Sequence, residues 1–294
     1  MNGTLLSILA GLGGMFGWGT SDFLASQFSE KIGHLKTFFY SQVAALIFVI
    51  LIVLVRTAHF TSDPLLLVLT VLCGVVNAFA YLFFYRGFAI GNVSVISAVI
   101  NLQNIFVVGI AYFLFGQRIG GLQIPALFLL LAGVTLVSTN FSEFKKGKIS
   151  LFIGVKETLI AAVLFGVLFW PMNQFVVQRT DWLTTNMIIK FVALITVFGF
   201  SFFSKQQLAL EKQSQTLKAL FPIAVIGVLE AIAVMSVSSG LSIGNAIIIN
   251  PIASALTLVT VGLAMVFLKE KITKTQAAGI VATIAGIMMM SLGG

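Results

Sequence analysis

The sequence predicts an all-α integral membrane protein, with ten transmembrane helices in a five-plus-five inverted repeat. Three observations predict it. Hydrophobic residues make up 59% of the 294-residue chain and charged residues 9%, where a soluble domain has about 25% charged. Apolar runs of about 20 residues, the length that crosses a bilayer, recur along the whole chain. Residues 72–138 match residues 225–291 without a gap, at a constant offset of 153. The matched pairs include Gly74/Gly227, Gly87/Gly240, Gly91/Gly244, Asn92/Asn245, Gly109/Gly262 and Gly133/Gly286. Two homologous halves inside a membrane imply an architecture that rocks around a central site.

In order, the spans read as residues 4–28, 36–56, 64–90, 92–116 and 119–140, then 150–178, 182–204, 217–243, 245–268 and 272–292. Most loops are short, punctuated by Gly91-Asn92, Gln117-Arg118, Gly244-Asn245 and Lys269-Glu270-Lys271. The polar segment 141–149 reads as a linker, leaving residues 1–140 as the first five-helix repeat and 150–294 as the second. The first two spans repeat more weakly. Phe16-Gly17 aligns with Phe165-Gly166 at an offset of 149, and Leu35 with Leu183 at 148, which sets Gln42 opposite Lys190. Five spans per half is an odd number, so the second half enters from the opposite side and the repeats are inverted.

Charge sets the remaining bounds. The net charge of +8 lies mostly in short loops, so it reports orientation and not nucleic-acid binding. Thirteen Lys and Arg fall in odd-numbered loops and three, Arg56, Arg118 and Arg179, in even-numbered ones. This count puts the odd loops in the cytoplasm and both termini outside. The lone Cys73 excludes a disulfide within the chain and argues against a metal cluster. No metal or cofactor is expected, and the first apolar run lacks the basic head of a cleaved signal.

Polar residues in the spans mark the candidate site. Glu230 and its repeat-mate Asn77 fall near the middle of their spans. A charge at that depth faces a cavity or a partner and is a functional-site hypothesis by default. Glu230 is therefore the candidate proton site. Asp22, in Gly17-Trp18-Gly19-Thr20-Ser21-Asp22, is a second acid beside glycines that allow close helix approach or local unwinding. Lys190 is placed to neutralise either acid or to bind a carboxylate. Ser97, Asn101 and Asn104 share one face of the fourth span. Asn250, Ser254 and Thr257 repeat that stripe in the ninth, and Pro251 frees a backbone carbonyl there. Trp18, Tyr81, Trp170 and Asn173 add amphipathic surface. The tenth span carries a small-residue face, Ala278, Gly279, Ala282 and Gly286, suited to tight packing within the chain or between two copies. Gly240-Leu241-Ser242-Ile243-Gly244 has nucleophile-elbow spacing. Its repeat-mate, Gly87-Phe88-Ala89-Ile90-Gly91, keeps the glycines without the serine, so the spacing reads as a turn between spans. The two histidines, His34 and His59, lie outside the spans, so no enzyme is expected.

Phe115-Gly116-Gln117-Arg118-Ile119 and Leu268-Lys269-Glu270-Lys271-Ile272 are each followed by a span ending Ala-Gly-Val/Ile, at Ala132-Gly133-Val134 and Ala285-Gly286-Ile287. Together with Phe16-Gly17-Trp18-Gly19 and Phe165-Gly166, they resemble the EamA-type drug/metabolite transporter family over nearly the whole chain. Gln117 stands where that family often has Glu, Gln103 about where it often has a proline, and Gln42 and Lys190 where it often has Arg. The resemblance implies secondary transport of a small metabolite, commonly export, and termini on the cytoplasmic side, against the charge count.

The expectation is a multi-pass protein of the plasma (bacterial inner) membrane, monomeric or homodimeric, whose partners are a small-molecule substrate, protons and the lipid bilayer. Spans one, three, four, six, eight and nine are expected to line its pocket. Proton-coupled exchange of an amino-acid-like or drug-like solute uses Glu230 and Asp22 for protons. It uses Trp18, Asn77, Tyr81, Asn101, Asn104, Trp170, Asn173, Lys190 and Asn250 for substrate. The alternative is a proton-independent facilitator or uptake carrier for a sugar- or nucleoside-like solute.

Overall fold

A computed structural model describes residues 3–56, 58–90, 96, 99–138, 153–209, 217–269 and 272–292. The linker 141–149, Asn92, Ser97 and the pair Glu270-Lys271 lie outside the described residues. The described residues are helical, without strands. The helices are α1 (Gly3–Ile32), α2 (His34–Val55), α3 (Pro64–Ile90), α4 (Gln103–Phe113), α5 (Gln123–Ser138), α6 (Val155–Val177), α7 (Trp182–Phe203), α8 (Leu217–Ile243), α9 (Ala246–Phe267) and α10 (Lys274–Leu292). Among them α2, α3 and α6 to α10 are long and apolar enough to cross a membrane, while α4 and α5 are shorter apolar helices. The 30 residues of α1 rise about 45 Å, which is also enough to cross.

Polar residues at the loop edges start these helices. Asp63 accepts from Leu65 N at 2.8 Å ahead of α3, and Asp181 accepts from Leu183 N at 2.7 Å ahead of α7. Asn245 accepts from Ile247 N at 2.9 Å ahead of α9. Each side chain satisfies an amide that the first helical turn leaves free. Thr273 and Gln276 close a capping box before α10: Gln276 N donates to Thr273 Oγ1 at 3.2 Å, and Thr273 N donates to Gln276 Oε1 at 3.0 Å. The equivalent Gly120 N donates to Gln123 Oε1 at 3.3 Å before α5.

The two halves interleave, and the main contacts between helices have counterparts with the halves exchanged. α1 packs on α8 and α9, as α6 packs on α3 and α4. α2 meets α8, as α7 meets α3, while α5 packs on α10 and α2 on α7. The correspondence reaches single residues. A methyl group on Gly74 would sit 2.6 Å from Val192 Cβ, and one on Gly227 3.0 Å from Ala44 Cβ. Those partners are 148 residues apart, the offset that aligns α2 with α7. At the α5–α10 crossing, a methyl on Gly286 would meet Leu130 N at 2.7 Å, and one on Gly133 would meet Thr283 N at 2.5 Å. Leu130 and Thr283 are themselves repeat-mates. The glycines of the small-residue face of α10, Gly279 and Gly286, are thus packed inside the chain, while Ala278 is exposed.

The structure revises three local expectations. First, of the two roles open to Gly17 and Gly19, close helix approach holds and unwinding does not, since α1 is an unbroken helix; the irregular segment is instead the π-helical Leu164–Phe169 within α6. Second, a methyl on Gly19 would lie 2.6 Å from Leu256 O, and one on Gly166 2.6 Å from Gln103 O. Leu256 and Gln103 are repeat-mates, so contact equates Gly19 with Gly166, two residues from the alignment of Gly17 with Gly166. Third, Gly240 lies inside α8 against Ala10, so its role is close helix approach and not a turn.

Candidate functional site

Two helices break at equivalent points. In α9 the break is at Ala255, where Ala255 N bonds Ile252 O at 3.0 Å and Leu258 N bonds Ala255 O at 2.9 Å. Before α4 it is at Leu102, where Leu102 N bonds Val99 O at 3.1 Å and Ile105 N bonds Leu102 O at 3.1 Å. Leu102 and Ala255 are 153 residues apart in sequence. These three-residue bonds replace four-residue ones, which interrupts the helical ladder and leaves backbone groups for other partners. Discontinuous helices at a repeat interface are where membrane carriers build their sites.

A cavity of about 110 Å³, measured as space for the centres of water-sized molecules, lies between the two breaks. That is room for on the order of eight waters, hence for a small organic molecule. Trp18 and Asp22 reach it from α1, and Tyr81 and Phe84 from α3. Asn101, Gln103 and Asn104 face it at one break, and Asn250, Ser254 and Thr257 at the other. Phe165 and Trp170, at the edges of the π-helical turn, complete the aromatic wall. Both polar stripes, apart from Ser97, therefore meet in one space. Asn104 Nδ2 donates to Asn101 O at 3.1 Å and Asn250 Nδ2 to Ala246 O at 3.3 Å. Three buried polar atoms of the wall have no hydrogen-bond partner in the protein: Trp18 Nε1, Gln103 Oε1 and Thr257 Oγ1. Buried polar groups are normally paired, so a donor, an acceptor and a hydroxyl stand ready for a ligand or water.

The rings form a chain. Trp18 meets Trp170 edge-on with centroids 5.7 Å apart, Trp170 meets Phe169 at 4.8 Å, Phe169 meets Phe165 at 6.0 Å, and Phe165 meets Tyr81 at 5.1 Å. Such contacts add about 0.5–1.5 kcal/mol per pair beyond area burial, and they make a stiff wall.

Four of the expected site residues lie off the cavity. Glu230 is buried and forms an ion pair with Lys190, whose Nζ also donates to Gln42 Oε1 at 2.9 Å. Lys190 and Gln42, equivalent in the repeat, thus touch each other where α2 and α7 cross. Asn173 is fully buried and donates to Ser238 Oγ at 3.2 Å, and Ser238 donates to Asn186 Oδ1 at 3.3 Å, a network that ties α6, α7 and α8 together. Asn77 is buried on α3. No residue of α8 lines the cavity, which corrects the expectation that the eighth span does. Gly17 packs against Leu229 O and Ala233, and Ser21 Oγ donates to Ile226 O at 3.2 Å, which brings the two acids near one another. Gln103 lies outside the spacing of four and three that joins Ser97, Asn101 and Asn104, so the stripe did not include it.

Outside the cavity, Arg86 pairs with Glu157 at 3.9 Å, across α3 and α6. The three even-loop arginines each sit over a ring: Arg56 over Trp182, Arg118 over Tyr112 and Arg179 over Phe175.

Apolar helices this long, arranged as two exchanged halves around an internal cavity, define a multi-pass membrane protein. The chain belongs to the EamA-like transporter family, whose profile matches residues 5–139 and again 153–292. Membership makes it a membrane transporter of the drug/metabolite superfamily. No curated protein matches the chain. A solved structure described as "Crystal structure of protein" is similar at 14% identity, covering 97% of each chain with a TM-score of 0.76. At that identity the likeness shows the fold alone.

Proposed function

We propose that this chain is a ten-span secondary carrier with inverted repeats in the plasma (bacterial inner) membrane. It moves a small polar or amphipathic metabolite, with export favoured, by proton-coupled exchange. The observation that carries the reading is the pair of helix breaks at Leu102 and Ala255, on one cavity whose wall holds a single acid, Asp22. Asp22 is the group that exchanges protons with the cavity. Glu230 is held by Lys190 away from the cavity. Trp18, Tyr81, Asn101, Asn104, Trp170 and Asn250 shape the pocket, while Asn77, Asn173 and Lys190 hold the surrounding helices in register. Gly279 and Gly286 of the small-residue face of α10 already pack against α5, and the carrier needs no cofactor and no chemical step.

Solute counterflow in proteoliposomes, with an internal pH dye, tests the reading. Solute movement is expected to drive opposite proton movement, and Asp22→Asn to lower the coupled flux at least tenfold. Flux with unchanged pH dependence in Asp22→Asn removes Asp22 from coupling. The amides of Asn101, Gln103, Asn104 and Asn250 on the wall favour a second reading, a facilitator for a sugar- or nucleoside-like solute. It predicts flux without proton movement.

A further inference from the structure

We infer that the cavity selects a monovalent organic cation, an amine or quaternary ammonium joined to a flat apolar body. This rests on the carrier reading and narrows its substrate class.

The charge inventory comes first. Among the described residues that line the cavity one is a carboxylic acid, Asp22, and none is Lys, Arg or His. The nearest buried base, Lys190, is occupied twice over by Glu230 and Gln42. An ion pair is neutral at a distance, so Lys190 neither attracts an anion into the cavity nor repels a cation. The charge left facing the space is that of Asp22. In a water-poor interior an unpaired charge draws in its opposite, because leaving it alone is costly. A carboxylate-bearing solute would meet Asp22 with no base to offset the repulsion.

The wall supports the same class. Trp18, Trp170, Phe165, Tyr81 and Phe84 present ring surface around the space next to Asp22. Ring faces are negative and attract ammonium groups, most strongly where water is scarce. The edge-to-face chain from Trp18 to Tyr81 holds these rings in fixed geometry, leaving a flat apolar substituent something to stack on. Gln103 Oε1 is an unpartnered acceptor on the wall, suited to an N–H of a primary or secondary amine. Trp18 Nε1 donates, so the solute also has room for one neutral acceptor such as a hydroxyl or carbonyl.

Calorimetry on the purified full-length protein tests this with a pair of equal shape, choline and its neutral carbon analogue 3,3-dimethyl-1-butanol. Choline is expected to bind at least tenfold more tightly, and trimethylphenylammonium more tightly than choline. Asp22→Asn is expected to bring the choline-to-analogue ratio to about one. Equal binding of the pair by the wild-type protein, or tighter binding of benzoate than of either cation, overturns the inference. The wild-type comparison needs no variant, so it stands if Asp22→Asn fails to fold. Counterflow separates the two levels. Cation binding without flux of any solute sinks the carrier reading and keeps the cation site. Flux of a neutral or anionic solute without cation binding does the reverse.

Discussion

Residue 230 gains its meaning from residue 190. A carboxylate buried in an apolar span is expensive alone, and Lys190 lies one hydrogen bond away. Removing one partner of a buried pair leaves the other charge stranded, at about 3–5 kcal/mol. Glu230→Gln is therefore expected to lower the thermal midpoint in detergent markedly, and the double change Lys190→Met with Glu230→Leu to recover most of it. A single variant as stable as the wild type would show that the pair contributes nothing to the fold. Asp22 has the opposite character, with a side chain on the cavity and no ion pair among the described residues. Asp22→Asn is expected to change stability by less than about 1 kcal/mol while it removes coupling. Sequence exposed both acids by their depth in apolar runs, and it offered Lys190 as a partner for either. Which acid keeps the base depends on how α7 crosses α8, and no local pattern encodes that crossing.

The helices themselves show which signals were local. The offset of 153 located α3 to α5 against α8 to α10, and the offset of 148 located α2 against α7, because matched residues there make matched contacts. Between α1 and α6 the alignment slipped by two. The glycines of these helices answer to the backbones they touch, Leu256 and Gln103, and α6 carries a π-helical turn that α1 lacks. Pro251 hinted at a discontinuity in α9, but its partner break at Leu102 has no proline and was invisible. Packing at the α5–α10 crossing is tight enough to test. Gly286→Val is expected to cost about 1–3 kcal/mol through overpacking, measured by chemical denaturation in micelles. Gly262→Ala, where a methyl group meets nothing within 4 Å, is expected to be neutral or to stabilise by up to about 1 kcal/mol. Equal effects at both positions would mean that the crossing is looser than it looks.

Over the whole molecule the two ends differ. At one end Asn245 N donates to Ser7 Oγ at 2.9 Å, Ala246 N to Gln117 Oε1 at 2.9 Å and Asn245 Nδ2 to Arg118 O at 3.2 Å, which knots α1, α9 and the loop after α4 together. Every residue of Ala246–Ser254 is buried, while Leu256–Phe267 has none buried. The half of α9 beyond Ala255 is therefore the less tightly packed of the two. In a Cys73→Ala background, Thr257→Cys is expected to react with a water-soluble thiol reagent at least tenfold faster than Ile249→Cys. Equal rates would mean that both halves of α9 breathe alike. The contact between Gln42 and Lys190 has one more consequence, for how the gene came to its present form. Two identical copies of the first half would meet glutamine to glutamine, with asparagine where Glu230 stands, and carry no net charge at that crossing. Divergence brought one acid and one base into the second copy, and each is poorly tolerated without the other.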